Sequence, residues 1–295
     1  MRYEETVMLS AKAPKPKPTA RRKAAAKQAP QPSCPDHRDL AAVASFFTEH
    51  GFYHGRGVFD PATVDRLEAD FDRIVAQISA TGEDINARRF WDHKTTRKLD
   101  GDRPSVVIHT HQVQKYSAAW SRLLLDDRLL DVVGSLIGPD IVLHHTKLFL
   151  KPAGRGGAFP AHQDHGYFPT LRGAMIAANV ILSRQDETNG CLRVWPGSHR
   201  HGPLPASKGD DETFAARFPI AASVPIICEP GDLVIFHFCT VHASLANRGE
   251  RDRKHVLVQL HPGDDRQLDG VPHPDSNLVL RGWNPLMTRQ RAGAS

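Results

Sequence analysis

Three observations predict a mainly β fold with helices on its N-terminal side. Apolar residues recur at helical spacing between about residues 39 and 138. After residue 140, short runs rich in β-branched and aromatic residues alternate with Gly and Pro turns. The sequence shows no repeat at the periods typical of solenoid proteins. Helices followed by many short strands indicate a β-sandwich or barrel that is flanked by N-terminal helices.

Three helices are predicted in the first half of the chain. The first begins at Leu40, and its apolar stripe stops at Gly51, a residue type that ends helices. Asp60-Pro61 places a capping side chain before a proline at the first helical position, which predicts the start of the second helix. The third helix is predicted over 120–136, and Gly138-Pro139 ends it.

Six short strands are predicted in the second half, at 141–152, 174–182, 191–195, 223–228, 232–242 and 254–261. Two Pro-Gly pairs, Pro196-Gly197 and Pro230-Gly231, mark turns between them. The intervening segments 82–116 and 200–222 are predicted to form the loops around a binding pocket.

Two regions are predicted: a basic tail, 1–34, and one folded domain, 35–295. Eight basic and two acidic side chains give the tail a net charge of +6, and the whole chain carries +5, so the domain is close to −1. The tail is rich in Lys, Ala and Pro, which predicts disorder. A solvated linker is its simplest interpretation, and weak binding of nucleic acid or of a partner is the alternative. The near-neutral domain does not favour a nucleic-acid-binding protein.

The cysteines and the hydropathy indicate a cytoplasmic protein. The four cysteines show no C-x-x-C spacing, which argues against a thiolate zinc site and fits a reducing compartment. No apolar run approaches the roughly 20 residues that would span a bilayer. We therefore expect no membrane partner.

A metal site is predicted from His162, Asp164 and His242. Two imidazoles and one carboxylate are the side chains that hold non-haem iron(II) on one face and leave the other face open. Because residues two apart on a strand point to the same side, His162 and Asp164 can bind one ion. His242 is distant in sequence and closes the apolar run 232–242. A chance His-x-Asp pair and a hydrogen-bonded strand-end histidine are the alternative interpretations.

Arg253 follows His242 by eleven positions and offers a planar fork for a carboxylate. Together with the triad it indicates an oxygenase that uses iron and a dicarboxylic co-substrate; the alternative is a surface arginine. His199 and His201 form a second H-x-H pair, but they follow a Pro-Gly turn and lack a third ligand, so metal binding there is not favoured.

Five segments resemble the phytanoyl-CoA dioxygenase family of iron(II)/2-oxoglutarate oxygenases over residues 40–262. They are HHTKLFLKP, AHQDHGYFP, TNGCLRVWPGSH, EPGDLVIFHFCTVHAS and the arginine after the distal histidine. The resemblance implies a double-stranded β-helix (jelly-roll, cupin-like) core. It also implies iron(II) held by His162, Asp164 and His242, with 2-oxoglutarate as co-substrate, dioxygen as oxidant, and Arg253 bound to the distal carboxylate of 2-oxoglutarate.

Four further residues are implied as co-substrate contacts: Lys147, Gln163, Asn179 and Ser244. The residue types at Lys147 and Asn179 differ from those of the family, and a family lysine expected near 109–112 is not matched. Ser244 is expected to assist Arg253. His165 and Tyr167 are candidates for substrate contact, and ordinary loop packing is the alternative for both.

The function implied is hydroxylation of an unactivated C–H bond of a small organic substrate, an acyl-CoA or a specialised metabolite, with release of succinate and CO2. Halogenating relatives lack the carboxylate ligand, so Asp164 favours hydroxylation or a related desaturation or cyclisation. The alternative is a non-catalytic jelly-roll that binds a ligand or regulates a partner.

Overall fold

A computed structural model describes residues 31–81, 87–88, 108–205, 212–270 and 275–287. The helices are α1 (Leu40–His50), α2 (Pro61–Thr81), α3 (Ala118–Leu123), α4 (Asp127–Ile137) and α5 (Glu212–Arg217). The strands are β1 (Phe52–Gly55), β2 (Ala87–Arg88), β3 (Ile108–His111), β4 (Ile141–Lys151), β5 (Phe159–His162), β6 (Ile176–Ile181), β7 (Leu192–Val194), β8 (Val224–Pro225), β9 (Leu233–His237), β10 (His242–Ser244), β11 (Arg253–Pro262) and β12 (Leu278–Arg281). This mainly β architecture with N-terminal helices confirms the predicted fold class.

The strands form two antiparallel sheets. The major sheet has the order β1-β9-β6-β11-β4-β3-β2, with β12 paired to β4, and the minor sheet has the order β5-β10-β7-β8. An apolar core between the sheets joins side chains of both, including Phe236 from β9 and Val194 from β7. The inner face of the major sheet is therefore the face turned towards the minor sheet.

The N-terminal helices cover the outer face of the major sheet. Alternate residues of β11, such as Val256 and Val258, pack there against apolar side chains of α1 to α4, such as Phe71 and Trp120. The intervening residues of β11 consequently face inwards, because successive side chains of a strand point to opposite sides. This alternation places Arg253, His255 and Gln259 of β11 between the sheets.

Two predicted elements are each divided into two in the structure. The helix predicted over 120–136 is two helices, because the Asp126 side chain accepts a hydrogen bond from the backbone N–H of Arg128 and caps α4. The strand predicted over 232–242 is also two strands: β9 ends at His237, and His242 begins β10 in the other sheet. The turn between them is itself apolar, so hydropathy alone could not reveal it.

The remaining elements follow the sequence closely or lie partly outside the described residues. Gly51 ends α1 in the left-handed conformation, and the Asp60 carboxylate accepts the backbone N–H of Thr63 at the start of α2. The strand predicted at 223–228 is reduced to β8, and β1 and β12 were not predicted. The segments predicted as loops contain β2, β3 and α5 in their described parts, so they are not loops throughout. Much of 82–116, part of 200–222 and residues 1–30 lie outside the described residues. None of the helices within the described ranges is long and apolar enough to cross a bilayer.

Gly51 connects α1 to the turn that precedes His242, and its replacement by alanine is expected to destabilise the fold. Its carbonyl accepts hydrogen bonds from His237 N and Thr240 Oγ1. A Cβ at this position, with φ at 73°, would overlap the His199 ring and lie 2.7 Å from Thr240 Oγ1. We expect Gly51→Ala to lower the free energy of unfolding by about 2–4 kcal/mol, from left-handed backbone strain and overpacking together.

Gly57→Ala is the matched control for urea unfolding. Gly57 also has a positive φ, 55°, but a Cβ there meets nothing within 4 Å. We expect only the conformational cost, about 1–2 kcal/mol. Equal losses in both variants would show that Gly51 is not closely packed against the turn.

Candidate active site

His162 and Asp164 lie at the end of β5 and the beginning of a short 3-10 turn. β5 ends at His162, and Asp164 opens the turn Asp164–Gly166, so the prediction that both lie on a strand is wrong. Gln163 between them is extended, with φ −116° and ψ 140°. This single extended residue is enough to leave the two flanking side chains on the same side.

His242, the first residue of β10, lies directly beside His162 of β5 in the minor sheet. The two ring centroids are 4.1 Å apart. Asp164 Oδ1 is 3.9 Å from His162 Nε2 and 3.6 Å from His242 Nε2. One ligand atom from each of the three residues lies within 4.8 Å of the others, so the structure brings the predicted triad together.

The backbone fixes which nitrogen of each histidine can bind a metal. His162 Nδ1 is 2.7 Å from the Pro160 carbonyl oxygen, and His242 Nδ1 is 3.0 Å from the Thr240 carbonyl oxygen. Since a carbonyl only accepts, each Nδ1 carries the proton and donates it. The lone pair of each imidazole therefore lies on Nε2, the atom that faces Asp164. Such an outer hydrogen bond is typical of metal-binding histidines.

Burial favours the protonation states that a divalent metal requires from imidazoles. It lowers the pKa of His162 to about 3, with a further contribution from His242, and it lowers the pKa of His242 to about 4. Both rings are therefore neutral at pH 7. Burial also raises the pKa of Asp164, and its Oδ2 makes no hydrogen bond within the described part of the protein. A buried carboxylate beside two neutral nitrogen donors fits a cation, and this donor set fits iron(II).

The lowered pKa values predict that the metal-free protein loses stability as the pH falls from about 6.5 towards 4. The unfolded state takes up protons on His162 and His242 below pH 6.5, whereas the folded state does not. Asp164 has the opposite sign, because its raised pKa lets the folded state keep a proton that the unfolded state has released. Because two histidines outweigh one carboxylate, the free energy of unfolding should fall by about 1 kcal/mol or more for each pH unit between pH 6.5 and 4.

Urea unfolding of the metal-free protein at pH 7, 6 and 5 measures this slope. Other buried histidines contribute to it, so the His162→Gln/His242→Gln double variant serves as the reference. We expect a shallower decline in the double variant. An identical decline in both proteins would contradict neutral burial of these two imidazoles.

Gln163 lies on the opposite side of the loop from the triad. Its fully buried amide donates to the carbonyl oxygens of Gly202 and Cys239, at 3.0 and 2.6 Å, and accepts from Leu204 N at 2.9 Å. The structure therefore does not bring this amide into the space between the sheets. These bonds link the His162 loop to the turn before His242, which makes Gln163 a positioning residue.

Arg253, the first residue of β11, lies on the inner face of the major sheet. It is 4 % exposed, and its Nε donates to Gln185 Oε1 at 2.9 Å. Burial lowers its pKa to about 10, so the guanidinium stays charged at neutral pH. The remaining N–H groups, on the two Nη atoms, are the ones suited to a carboxylate.

The other predicted co-substrate contacts share this region. Lys147 and Asn179 lie in register on either side of Leu257 of β11, so all three side chains share the inner face. Lys147 Nζ is 4.7 Å from the centroid of the Phe149 ring, and its charge lowers the pKa values of His162 and Asp164. Asn179 Nδ2 donates to a backbone carbonyl of β9. Ser244 Oγ accepts a hydrogen bond from a lysine that the sequence analysis did not select, Lys151.

The candidates for substrate contact and the competing histidines are separated by the fold. The Tyr167 ring lies edge-on to His162, with centroids 6.2 Å apart, at the metal side of the site. His165 contacts Phe238 in the turn between β9 and β10. His199 instead lies 3.1 Å from the Thr48 carbonyl oxygen at the end of α1, and His201 is exposed. The second H-x-H pair therefore stays apart from the triad.

Four inward-facing or neighbouring residues were missed: Lys151, Gln185, His255 and Gln259. Gln259 is fully buried, and its amide faces Asp164 and lowers the pKa of that carboxyl. Lys151 ends the apolar run LFLK before a proline, where a charged residue resembles a strand boundary. The signal in the sequence was a lysine at a strand position that faces inwards. Recognising it requires knowing which alternate residues of β4 face inwards.

A second group of metal-type side chains, His54, Cys228 and Asp232, lies elsewhere in the major sheet and its neighbouring loop. His54 Nε2 is 2.8 Å from Asp232 Oδ2, and the same carboxylate accepts backbone N–H groups of Gly57 and Glu229. Its oxygens are therefore already satisfied by the protein. This group is a buried hydrogen-bonded pair beside a thiol, and it does not compete with the triad.

Two facing antiparallel sheets with a two-histidine, one-carboxylate triad at their edge define the jelly-roll class of non-haem iron oxygenases. The family model for phytanoyl-CoA dioxygenase (PhyH) matches residues 47–255. The chain belongs to the phytanoyl-CoA dioxygenase family. This membership confirms the predicted enzyme class, a 2-oxoglutarate-dependent dioxygenase, and its cofactors, iron(II), 2-oxoglutarate and dioxygen.

Individual relatives and solved structures agree with this assignment. The peroxisomal phytanoyl-CoA dioxygenase of Bos taurus is 28% identical over 238 residues, which cover 76% of this chain and 69% of the bovine protein. The methylphosphonate hydroxylase of Gimesia maris is 27% identical over 182 residues, 60% of this chain and 67% of that protein. The crystal structure of the α-ketoglutarate-dependent epimerase SnoN covers 86% of this chain and 98% of its own, with a TM-score of 0.66 and 22% identity. This similarity confirms the jelly-roll core.

Proposed function

We propose that the protein hydroxylates an unactivated C–H bond of a small organic substrate while 2-oxoglutarate is converted to succinate and CO2. His162, Asp164 and His242 would hold iron(II), and Arg253 would bind the distal carboxylate of 2-oxoglutarate. The observation that carries the proposal is the convergence of three ligand atoms within 4.8 Å, with both histidine protons directed away from the shared centre.

The residues of the chain would bind and orient the metal and the co-substrate, and they would exclude water from the site. His162, Asp164 and His242 would hold the metal through three protein ligands, a set that would leave room for the co-substrate and dioxygen. When bound, the iron supplies the oxidising chemistry for the C–H bond. Hydrogen bonds from Nδ1 to backbone carbonyls hold both imidazoles at fixed angles, and Gln163 fixes the loop between them. The buried Arg253 and the apolar core between the sheets keep the co-substrate end of the site dry.

The carboxylate at position 164 supports hydroxylation over halogenation. A protein carboxylate occupies the position that halogenating relatives leave open for chloride. The relatives include a phytanoyl-CoA dioxygenase and a methylphosphonate hydroxylase. These relatives support a small-molecule substrate, either an acyl-CoA or a compact metabolite.

A substrate panel tests the proposal. Metal-free protein is reconstituted anaerobically with iron(II), and acyl-CoA thioesters and small organic acids are added with 2-oxoglutarate in air. Succinate above the uncoupled level, together with a product that gains one oxygen atom from labelled dioxygen, is expected for the true substrate. Product that loses two hydrogens instead would favour desaturation or cyclisation. Protein that binds neither iron(II) nor 2-oxoglutarate would favour a non-catalytic jelly-roll.

A further inference from the structure

Two buried basic side chains lie side by side on the inner face of the major sheet. Arg253 of β11 lies directly opposite Lys151 of β4 in the antiparallel register. Lys151 is 1 % exposed and Arg253 is 4 % exposed. The lysine side chain crosses the space between the sheets and reaches Ser244 of β10, two residues after His242. The pair therefore lies beside the strand that carries the third predicted metal ligand.

Among the described residues, neutral groups alone bind the side chains of Lys151 and Arg253. Lys151 Nζ donates to Ser244 Oγ at 2.6 Å and to the Leu245 carbonyl oxygen at 2.7 Å. Arg253 donates through Nε to Gln185 Oε1 at 2.9 Å. Over the described ranges, neither side chain forms an ion pair with a carboxylate. Each keeps N–H groups for another acceptor, one on the ammonium and four on the two Nη atoms.

Lys254, the next residue of β11, is a lysine with a structural role and provides a comparison. Its ammonium lies on the outer face of the major sheet, 2.9 Å from Glu68 and 2.8 Å from Asp72 of α2. The charge there is neutralised by the protein itself. On the inner face, two positive groups lie together without a counter-ion from the described chain, although burial of unpaired charge is unfavourable.

Because no carboxylate of the described residues pairs with Lys151 or Arg253, the ligand that fits between them is an anion. Burial and the Arg253 charge both lower the pKa of Lys151, so an anion placed between the two groups would be stabilised by both. We propose that Lys151 is a second cationic contact for the distal carboxylate of the co-substrate, beside Arg253, and that Ser244 and Leu245 aim its ammonium at that carboxylate. This inference rests on the proposed function, because it takes the co-substrate to be 2-oxoglutarate.

The contact has a specific consequence for co-substrate choice. An oxo-acid with a distal carboxylate would gain interactions with both cations, whereas 2-oxovalerate, which ends in a methyl group, would leave both without an anion. Lys151 would thus increase the preference for dicarboxylic oxo-acids and leave the affinity for the 2-oxo-acid end unchanged. A lysine that only joins the two sheets would not alter this preference.

The test compares the dissociation constants of 2-oxoglutarate and 2-oxovalerate in wild type and variants. Both are measured by anaerobic titration of the iron(II) protein, which reads the visible charge-transfer band of the bound oxo-acid. We expect Lys151→Met to reduce the preference for 2-oxoglutarate by about tenfold or more, the effect of losing one charge-assisted contact. Binding of 2-oxovalerate should change less than about threefold. Lys254→Met, the matched control on the outer face, should keep the wild-type preference.

Each outcome separates the contact from the proposed function. If Arg253→Met loses the preference but Lys151→Met retains it, the Lys151 contact is wrong and the co-substrate assignment stands. If the wild type gives no band with either oxo-acid, the proposed function itself fails. Near-UV circular dichroism checks folding, and Lys151→Gln, which can keep a hydrogen bond to Ser244, replaces Lys151→Met should that variant not fold. Lys151→Arg should retain most of the preference.

Discussion

Replacing Asp164 by alanine is expected to weaken iron(II) binding by more than about 100-fold and to abolish succinate formation. Loss of an outer hydrogen bond to a metal ligand already costs 10- to 100-fold in affinity, and here a ligand itself is removed. Asp164 supplies the only carboxylate of the triad, and its Oδ1 lies 3.9 Å from His162 Nε2 and 3.6 Å from His242 Nε2. Equilibrium dialysis with iron(II) under anaerobic conditions measures the affinity.

The same variant should make the metal-free protein more stable. Burial raises the pKa of Asp164, so its charged carboxylate is expected to be unfavourable when no cation neutralises it. Wild type should therefore gain thermal stability with iron(II), whereas Asp164→Ala should be more stable without metal and gain nothing from it. Asp131→Ala, which removes a surface carboxylate paired with Arg281, is the control. If iron(II) raised the thermal stability of Asp164→Ala as much as that of wild type, Asp164 would not be a metal ligand.

Replacing Arg253 by methionine is expected to weaken 2-oxoglutarate binding by about 100-fold while leaving iron(II) affinity unchanged. Truncation of one partner of a buried charge pair costs about 2–5 kcal/mol, and Arg253 is almost fully buried. The effect should appear as a raised KM for 2-oxoglutarate, with kcat recovering at saturating co-substrate. Arg251→Met, an exposed arginine in the preceding loop, is the matched control. An unchanged KM for 2-oxoglutarate would show that Arg253 does not bind the co-substrate.

The sequence predicted the site better than the elements that build it. His162, Asp164 and His242 converge, yet Asp164 lies in a turn and His242 begins a strand instead of ending one. The error at His242 has a clear physical cause. The turn between β9 and β10 is filled by buried apolar side chains, so its hydropathy is that of a strand, and only its hydrogen bonds mark the change of direction.

Other features depend on contacts between distant segments and could not be obtained from local pattern. Asp126 interrupts the long predicted helix through its own cap, a signal that was present but outweighed by apolar spacing. Gln163 was placed with the co-substrate because of its neighbours in sequence, but strand alternation turns it towards Gly202 and Cys239. Lys151 gained its importance only when the register placed it opposite Arg253.

The most direct test of the account is anaerobic titration of the metal-free wild-type protein with iron(II) and 2-oxoglutarate. If one iron is held by His162, Asp164 and His242 with Arg253 nearby, a visible charge-transfer band should appear only when both are present. It should saturate at one equivalent of each and be absent from His242→Ala. No band in the wild type, or the same band in His242→Ala, would contradict the assignment of the iron and co-substrate site to these four residues.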